Sequence, residues 1–192
     1  MKATLNKKEN ILRASLELFA ERGFDGTTVP MIADRAEVGA GTIYRYFENK
    51  EALVNVLFQD CVAGLSDSIR GGYPEEGTVR DQFRHVFYGM VRFASDNIQA
   101  LHFLDTHSGA RFLNADSRDR FDELMGFLHA YARSGQQQGV IRPLPAHALI
   151  GIVFGAFTKI FTLIRSGILE ETPVLLAGIE ESCWSAVRQP AE

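Results

Sequence analysis

The chain has 192 residues, 46% hydrophobic and 23% charged, a composition that favours a globular protein of one or two domains with a sizeable core. Its formal net charge is −4, but residues 1–50 carry eight basic and seven acidic side chains, so the negative charge lies in residues 51–192. The two cysteines, Cys61 and Cys183, are too far apart for a CxxC pair and too few for a four-cysteine zinc site. Both fall in apolar helical patterns, which predicts buried reduced thiols.

Neither an export signal nor a membrane span is predicted. The N-terminal segment MKATLNKKENIL lacks an apolar core of signal-peptide length. The longest uncharged run, at 143–158, is shorter than a bilayer-spanning helix. Only one of the six prolines lies before position 70, so few strong helix breakers are present. We therefore expect a mostly helical, cytoplasmic protein without a membrane partner.

The first quarter of the chain predicts three short helices. Apolar residues at helical spacing predict the first over about 6–22, and Gly23 ends it. Thr28 is the predicted N-cap of the second helix, whose first turn tolerates Pro30 because that N–H would have no partner there. A short turn follows, in which Gly39 is expected to relieve the backbone as the chain reverses into the third helix.

The third helix, predicted over 41–47, sorts its side chains onto two faces at 100° per residue. Ile43 and Phe47 fall on one face. The opposite face and its flanks carry Gly41, Thr42, Arg45, Tyr44 and Tyr46. A helix that packs an apolar stripe inward and presents a small aromatic and cationic face has the shape required to read a DNA major groove.

The array from LELFAERGFDGTTV through IADRAEVGAGTIYRYFENKEALV, within about residues 8–57, resembles the DNA-binding domain of the TetR/AcrR family of transcriptional regulators. The run GTIYRYF at 41–47, followed by Lys50, is its most diagnostic part. The resemblance implies that Thr28 and Tyr44 bind the DNA backbone and that Lys50 contacts a phosphate at a helix N-terminus. Thr27, beside Thr28, is included in the predicted set.

Four further positions lie nearest the base edges according to the resemblance: Ala40, Gly41, Thr42 and Arg45. Arg45 is the first choice for specific readout, because a guanidinium can bond guanine O6 and N7 as a fork. Tyr46 can reach a phosphate through its hydroxyl. The alternative for Tyr44 and Tyr46 is that they only brace the helix against its neighbours.

The sequence departs from the family pattern at the front of this helix. Gly39 and Ala40 stand where Ser or Thr and a longer polar residue are common, and Tyr46 stands where His is frequent. These changes remove hydrogen-bond donors, so the operator sequence of a relative cannot be transferred to this chain.

Six more helices are predicted beyond residue 49, at about 50–69, 78–94, 98–106, 117–135, 145–166 and 173–187. Ser95-Asp96-Asn97 interrupts the second and third of these, and Asp116 or Ser117 is the predicted cap of the fourth. The fold is therefore expected to be all-α, with about nine helices in total. A three-helix helix-turn-helix DNA-binding domain at 1–50 precedes a helical effector-binding and dimerisation domain at 51–192.

The helix at 145–166 is apolar on nearly all sides, which predicts burial against both the domain core and a second copy of the chain. The predicted partners are accordingly a homodimer, formed through the helices at 145–166 and 173–187, and double-stranded DNA with a palindromic operator. The resemblance also implies a small-molecule effector in the second domain.

The candidate effector-binding residues are the polar and aromatic side chains Phe87, Arg92, His102, Phe103, His107, Tyr131 and Phe154. The plainer interpretation of each phenylalanine is core packing. An apolar lining with few charges favours a hydrophobic or aromatic ligand. His102 and His107 differ by 140° around a helix, so a metal site with Asp105 is not predicted.

The favoured interpretation is a homodimeric, ligand-responsive transcriptional regulator, a repressor that a small apolar or aromatic effector releases from DNA. The alternative is a helical small-molecule binding or interaction protein that retains the helix-turn-helix as scaffold. The chain has no GxSxG, no HExxH and no glycine-rich phosphate loop, so neither an enzyme nor a bound cofactor is predicted.

Overall fold

The computed structural model describes residues 2–190, with side chains described for all of these except 2–6 and 96. They form eight helices: α1 Lys2–Arg22, α2 Val29–Arg35, α3 Ala40–Ile43, α4 Lys50–Arg70, α5 Val79–His107, α6 Ala115–Gln137, α7 Ala146–Arg165 and α8 Pro173–Val187. Asn97 has non-helical torsion angles (φ −139°, ψ 41°) and divides α5 in two. The predicted interruption and the predicted nine helical segments are confirmed within the described residues.

The fold is all-α, as predicted. Among the described residues the only β-type pairing is an isolated bridge between Ile141 and Arg188. Thr78 and Asp81 begin α5 with a reciprocal cap, in which the Thr78 hydroxyl lies 2.6 Å from Asp81 Oδ2 and accepts from the Asp81 amide at 3.1 Å. Thr172 caps α8 by accepting from the amide of Leu175.

The chain divides into two compact units. The first comprises Met1–Ala63 and Gln99–Phe121, and the second comprises Gly64–Ile98 and Asp122–Glu192. Helices α4, α5 and α6 each contribute residues to both units. The domain boundary after residue 50 stays a prediction, because the compact units follow packing rather than chain order.

The first unit is built on the apolar stripe of α1. Ile11, Leu18 and Phe19 on this helix are each at most 2% exposed, α1 packs against α2, and α2 packs against α3. The buried residues there are Val29, Ile32, Ala33, Ala36, Ile43 and Phe47. On the solvent side, Arg35 forms ion pairs with Glu17 and Glu21 of α1. The helix-turn-helix therefore rests on α1 through hydrocarbon, with the charges at the rim.

The turn between α2 and α3 differs from the prediction. Gly39 has ordinary torsion angles (φ −70°, ψ 144°), and the left-handed residue is Glu37, with φ 55°. The amide of Val38 donates to the carbonyl of Ala33, and that of Glu37 to the carbonyl of Asp34. This is the Schellman pattern, in which the residue after the C-cap takes positive φ and is usually glycine. The expectation that Gly39 relieves the backbone was wrong, because the reversal occurs two residues earlier.

The cap of α6 also differs from the prediction. Asn114 accepts the amide of Ser117 at 2.9 Å, so it fills the role assigned to Asp116 or Ser117. Ser117 lies inside the helix and is fully buried. Its hydroxyl donates to Oδ1 of Asn55 on α4 at 2.7 Å. Tertiary hydrogen bonding therefore decided which residue begins this helix.

Helix α7 has little of its apolar surface buried within the chain. Its buried residues are Leu149, Phe157 and Phe161, whereas Ile152 is 42% exposed. Among the described residues it is the one helix long and apolar enough to cross a membrane, with 17% of its most apolar window buried. One helix of this kind is weak evidence for a membrane span.

Both thiols are buried and free, as predicted. Burial, with a smaller contribution from the charge of Asp60, raises the pKa of Cys61 to about 12. Burial and Glu180 also raise the pKa of Cys183. Neither side chain is a reactive thiolate near neutral pH.

Glu37→Gly is expected to stabilise the protein by about 1 kcal/mol, because it removes a side chain from the left-handed region at an exposed position. Chemical denaturation monitored by circular dichroism measures this free energy of unfolding. The control is Ala130→Gly at an exposed interior position of α6, which is expected to lower stability by about 1 kcal/mol. Equal losses from both substitutions would contradict the Schellman assignment.

Candidate nucleic-acid interface and effector cavity

Helix α3 has the two predicted faces, although it is shorter than expected. Ile43 and Phe47 are 1% and 4% exposed and face the core, whereas Gly41 and Arg45 are exposed. The helix ends at Ile43, and the chain continues to Phe47 in tight turns. In these turns the amide of Arg45 donates to the backbone carbonyl of Thr42, and the amide of Tyr46 donates to the backbone carbonyl of Ile43. The amide of Phe47 also donates to the carbonyl of Ile43, so the chain makes one further turn and the side chains of Ile43 and Phe47 both face the core.

The other predicted contacts differ in what they offer to DNA. Tyr44 is 56% exposed, so its hydroxyl can reach a phosphate. Ala40 is exposed but has no polar side-chain atom, and Thr42 is half-buried. Tyr46 is half-buried with its ring 6.4 Å from that of Phe47, which also fits the bracing role. The surface therefore presents one strong donor group, the guanidinium of Arg45, between two tyrosines.

Thr27 and Thr28 have different environments. Thr28 is exposed and caps α2, with its hydroxyl 3.5 Å from the amide of Met31. Thr27 has zero exposure, and its hydroxyl lies 2.8 Å from the carbonyl of Gly23 and 3.1 Å from that of Leu18. A side chain without surface and already bonded to backbone carbonyls cannot contact DNA. The inclusion of Thr27 in the DNA-binding set is corrected on this ground.

Lys50 is tied to the corner between α1 and α2. Its ammonium donates to the carbonyls of Phe24 at 2.8 Å and Thr27 at 2.9 Å. It also lies 3.9 Å from the centre of the Phe24 ring, a cation–π distance. Two of its three protons are therefore used inside the protein. The phosphate contact remains a prediction, now limited to the third proton and the charge.

The second unit contains an apolar cavity of about 80 Å³ between α5, α6 and α7. Its wall includes Phe83, Met90, Leu128, Tyr131, Leu149 and Phe154. Tyr131 supplies the only hydroxyl, which donates to the carbonyl of Val79 at 3.1 Å. Burial raises the pKa of Tyr131, so the phenol stays neutral. The cavity thus offers a ligand hydrocarbon contacts without a free charge in the wall.

Only two of the seven predicted effector residues, Tyr131 and Phe154, line this cavity. Phe87 is fully buried, with its ring 5.5 Å from that of Phe157, and is a core residue. Arg92 is exposed and donates to the carbonyl of Ser68. Both residues lie on α5, which contributes Phe83, Val86 and Met90 to the cavity wall, but neither lines it, so their role in effector binding stays a prediction.

The remaining three predicted effector residues belong to the first unit. Phe103 is fully buried, 6.1 Å from each of the rings of Phe19 and Phe58. His107 is buried, with Nδ1 2.9 Å from the carbonyl of Phe103, and burial lowers its pKa. His102 is exposed. These three residues do not line the cavity of the second unit, and their role in effector binding stays a prediction. Among the described residues, no group of three or more His, Cys, Asp or Glu side chains could hold a metal ion.

Two family models together match most of the chain. The model described as "Bacterial regulatory proteins, tetR family" matches residues 11–57, and "Tetracyclin repressor-like, C-terminal domain" matches 58–189. The chain belongs to the TetR family. The predicted family, the fold class and the function of a ligand-responsive transcriptional regulator are confirmed.

Relatives of this TetR-family chain align over different lengths. The "Fatty acid metabolism regulator protein" of Bacillus subtilis is 27% identical over 84% of this chain and 85% of its own length. The uncharacterized regulator YvdT of the same organism is 34% identical, but the alignment spans 36% of each chain.

Solved structures share the fold over nearly the full length. A TetR family regulator from Marinobacter aquaeolei VT8 has a TM-score of 0.83 at 21% identity, covering 98% of this chain and 99% of that chain. The regulator FadR from Bacillus subtilis, solved in complex with stearoyl-CoA, has a TM-score of 0.64 at 21% identity, covering 92% and 95%. Regulators of this family generally act in the cytoplasm as non-enzymatic dimers that bind operator DNA and small effectors.

Little in the sequence indicates which residues brace the helix-turn-helix of this TetR-family chain. The rings of Phe24 and Phe112 stack at 4.2 Å between centres, on the ring that Lys50 also contacts. Asn55 on α4 donates to the carbonyl of Phe112 and accepts from the amide of Asn114, both at 2.8 Å. The one available signal was Asn55 itself, a polar residue on the apolar stripe of a helix.

Thr27→Val is expected to lower the free energy of unfolding by about 1 kcal/mol and to leave DNA affinity unchanged, because only an internal hydrogen bond is lost. Thr28→Val is the matched variant at an exposed position. It is expected to weaken DNA binding, since it removes a surface hydroxyl and the cap of α2. Denaturation and fluorescence-anisotropy titration measure the two effects. A loss of DNA affinity in fully folded Thr27→Val would contradict the correction.

Proposed function

We propose that this TetR-family chain is a cytoplasmic, non-enzymatic repressor that binds a palindromic operator as a homodimer and leaves it when an apolar or aromatic molecule fills the cavity. The observation that carries the proposal is the exposed surface of Arg45 and Tyr44 on a helix-turn-helix that matches the family. The cavity in the second unit supports the response to a ligand.

In the proposed complex, Arg45 reads a base edge and the surrounding groups hold the phosphates. Arg45 is exposed, and its neighbours Ala40 and Gly41 have no side-chain donor that could share the readout. Tyr44, Tyr46 and Thr28 supply hydroxyls on the flanks, and Lys50 contributes charge at the start of α4. With so few base-reading groups, DNA shape must contribute to specificity.

Arg45→Ala is expected to lower affinity for a duplex selected in vitro by the wild-type protein by about 1–3 kcal/mol and to relax the preference at one base pair. Tyr44→Phe is the control for backbone binding, because it removes only a hydroxyl and should weaken selected and scrambled duplexes by the same factor. Anisotropy titrations of both duplexes at one salt concentration make the comparison. Equal losses for Arg45→Ala on the two duplexes would exclude base readout by Arg45.

An apolar effector is proposed from the character of the cavity wall. Its lining is hydrocarbon apart from the occupied hydroxyl of Tyr131. Met90 lies in the wall, and its unbranched side chain can rearrange as a ligand enters. The stearoyl-CoA complex of the similar regulator FadR and the name of the fatty acid metabolism regulator support a ligand with a large apolar part. Helix α6 lines the cavity and extends into the first unit, which supports a link to DNA binding.

We propose that the dimer forms through α7 and α8. An apolar groove of the second unit runs between these helices and is lined by Ile152, Ala156, Ile160, Val174, Leu175 and Ile179, among others. Val174 is 83% exposed and Ile152 42%. Burial against a second copy would remove this hydrocarbon from water. Two recognition helices brought together in this way would read half-sites about one helical turn apart, roughly 34–36 Å.

Ile152→Asp is expected to convert the dimer to monomer, because it would bury an unpaired carboxylate in the proposed interface. Leu144→Asp is the control, since Leu144 is similarly exposed at 40% and does not line the groove. Light scattering coupled to size-exclusion chromatography gives the molar mass of each variant. An unchanged mass for Ile152→Asp, or monomers from both variants, would argue against this interface.

A further inference from the structure

Two histidines meet across helices that line the cavity. The ring of His129 on α6 lies 4.2 Å from the ring of His147 on α7, centre to centre, with 59° between their planes. Neither takes part in the DNA-binding surface, and neither lines the cavity itself. They form a separate titratable pair in the second unit.

This pair adjoins the cavity on both helices. His129 directly follows Leu128 and precedes Ala132 by three residues, and both of these residues line the cavity. His147 precedes Ile150 by three residues and Phe154 by seven, a spacing that places all three on one stripe of α7. Three residues correspond to about 4.5 Å along a helix. Each histidine is therefore within one helical turn, along its own helix, of residues that line the cavity.

The two rings of the pair differ in exposure: His129 is half-buried, whereas His147 is exposed. Nε2 of His129 is buried and has no hydrogen-bond partner, although buried polar atoms are nearly always paired. The charged groups that act on His129 are His147 on α7 and Arg133 on α6, and both are bases. Burial first, and then these two bases, lower the pKa of His129. A negatively charged group at this position would satisfy the nitrogen and reverse the effect of its neighbours.

We propose that the cavity and the His129–His147 pair together bind an amphipathic carboxylic acid, with the hydrocarbon in the cavity and the carboxylate on the imidazoles. The proposal rests on the proposed function in one respect, because it assigns a chemical class to the effector of that site. The hydrocarbon lining selects a tail, and the two imidazoles select a negative head group. A neutral molecule of the same length lacks the charge that the pair can hold.

Proton uptake accompanies this binding. A bound carboxylate favours the imidazolium and so raises the pKa of His129 above its lowered value in the free protein. Below both pKa values the charge–charge contact is fully formed, and it is lost as pH rises through the pKa of the complex. The affinity for a carboxylate should therefore fall as pH rises from below the lowered pKa of free His129 to above its pKa in the complex, whereas that for a neutral alcohol should not change.

The test compares octanoate with octan-1-ol on the full-length protein. Trp184 is the only tryptophan, and its ring lies 5.3 Å from that of Phe83 in the cavity wall, so its fluorescence reports occupancy. Isothermal titration calorimetry gives an independent affinity. We expect octanoate to bind at least about tenfold more tightly than octan-1-ol at pH 6, the size of one charge-assisted hydrogen bond, and the difference to shrink at pH 8.

Substitution identifies the groups responsible. His129→Gln and His147→Gln should each weaken octanoate binding by about tenfold and leave octan-1-ol binding unchanged. His85→Gln is the matched control, because Nε2 of His85 is also buried without a partner while its ring contacts Tyr73 and does not line the cavity. Equal affinities for the two probes, loss of octanoate binding in His85→Gln alone, or no saturable binding of either probe would overturn the proposal.

Adding the selected duplex separates this proposal from the proposed function. If octanoate binds through the histidine pair but does not release the DNA, the carboxylate site stands and the cavity is not the effector site. If both probes release the DNA with equal affinities, the cavity is the effector site and the carboxylate assignment fails.

Discussion

The helix-turn-helix of this protein depends on the ammonium of Lys50. This group donates to the carbonyls of Phe24 and Thr27 and lies over the Phe24 ring, so the first residue of α4 fixes the corner that precedes α2. Thr27 closes the same corner from within by bonding to the end of α1. The ammonium is half-buried and shares the Phe24 carbonyl with the amide of Thr27, so charge-assisted hydrogen bonds add to the apolar packing of this corner.

A second set of contacts makes residues 99–121 part of the same compact unit. Asn55 is 5% exposed and bonds to the carbonyl of Phe112, the amide of Asn114 and the hydroxyl of Ser117. The stack of Phe112 on Phe24 adds an aromatic contact to the corner that Lys50 holds. A buried network of this kind is stable only when all its members are paired. The start of α6 is thereby coupled to the helix-turn-helix, while the rest of α6 lines the cavity. An element such as α6, which reaches both sites, can couple DNA binding to effector binding. The coupling must then act equally in both directions.

The apolar character of α7 has two separate causes. One side of the helix, with Leu149, Val153 and Phe154, lines the cavity, and another, with Ile152 and Ala156, lines the groove toward α8. Because α7 lines a cavity on one side and a groove on another, only a small fraction of the helix is buried within one chain. In the proposed dimer the same helix would carry both the effector wall and the subunit interface. A change in cavity volume could then reach the partner subunit without passing through a loop.

The sequence by itself determined the helices, the family and the facing of α3, because these follow from local spacing and from a motif confined to about fifty residues. It placed Ile43 and Phe47 inward and Arg45 outward correctly. Tertiary structure decided which residues are neighbours: it buried Thr27, gave Lys50 two internal acceptors and assigned Phe103 and His107 to the first unit. Helical periodicity identifies the side of a helix that is covered but not the element that covers it, so neither the cavity nor the histidine pair was visible along the chain.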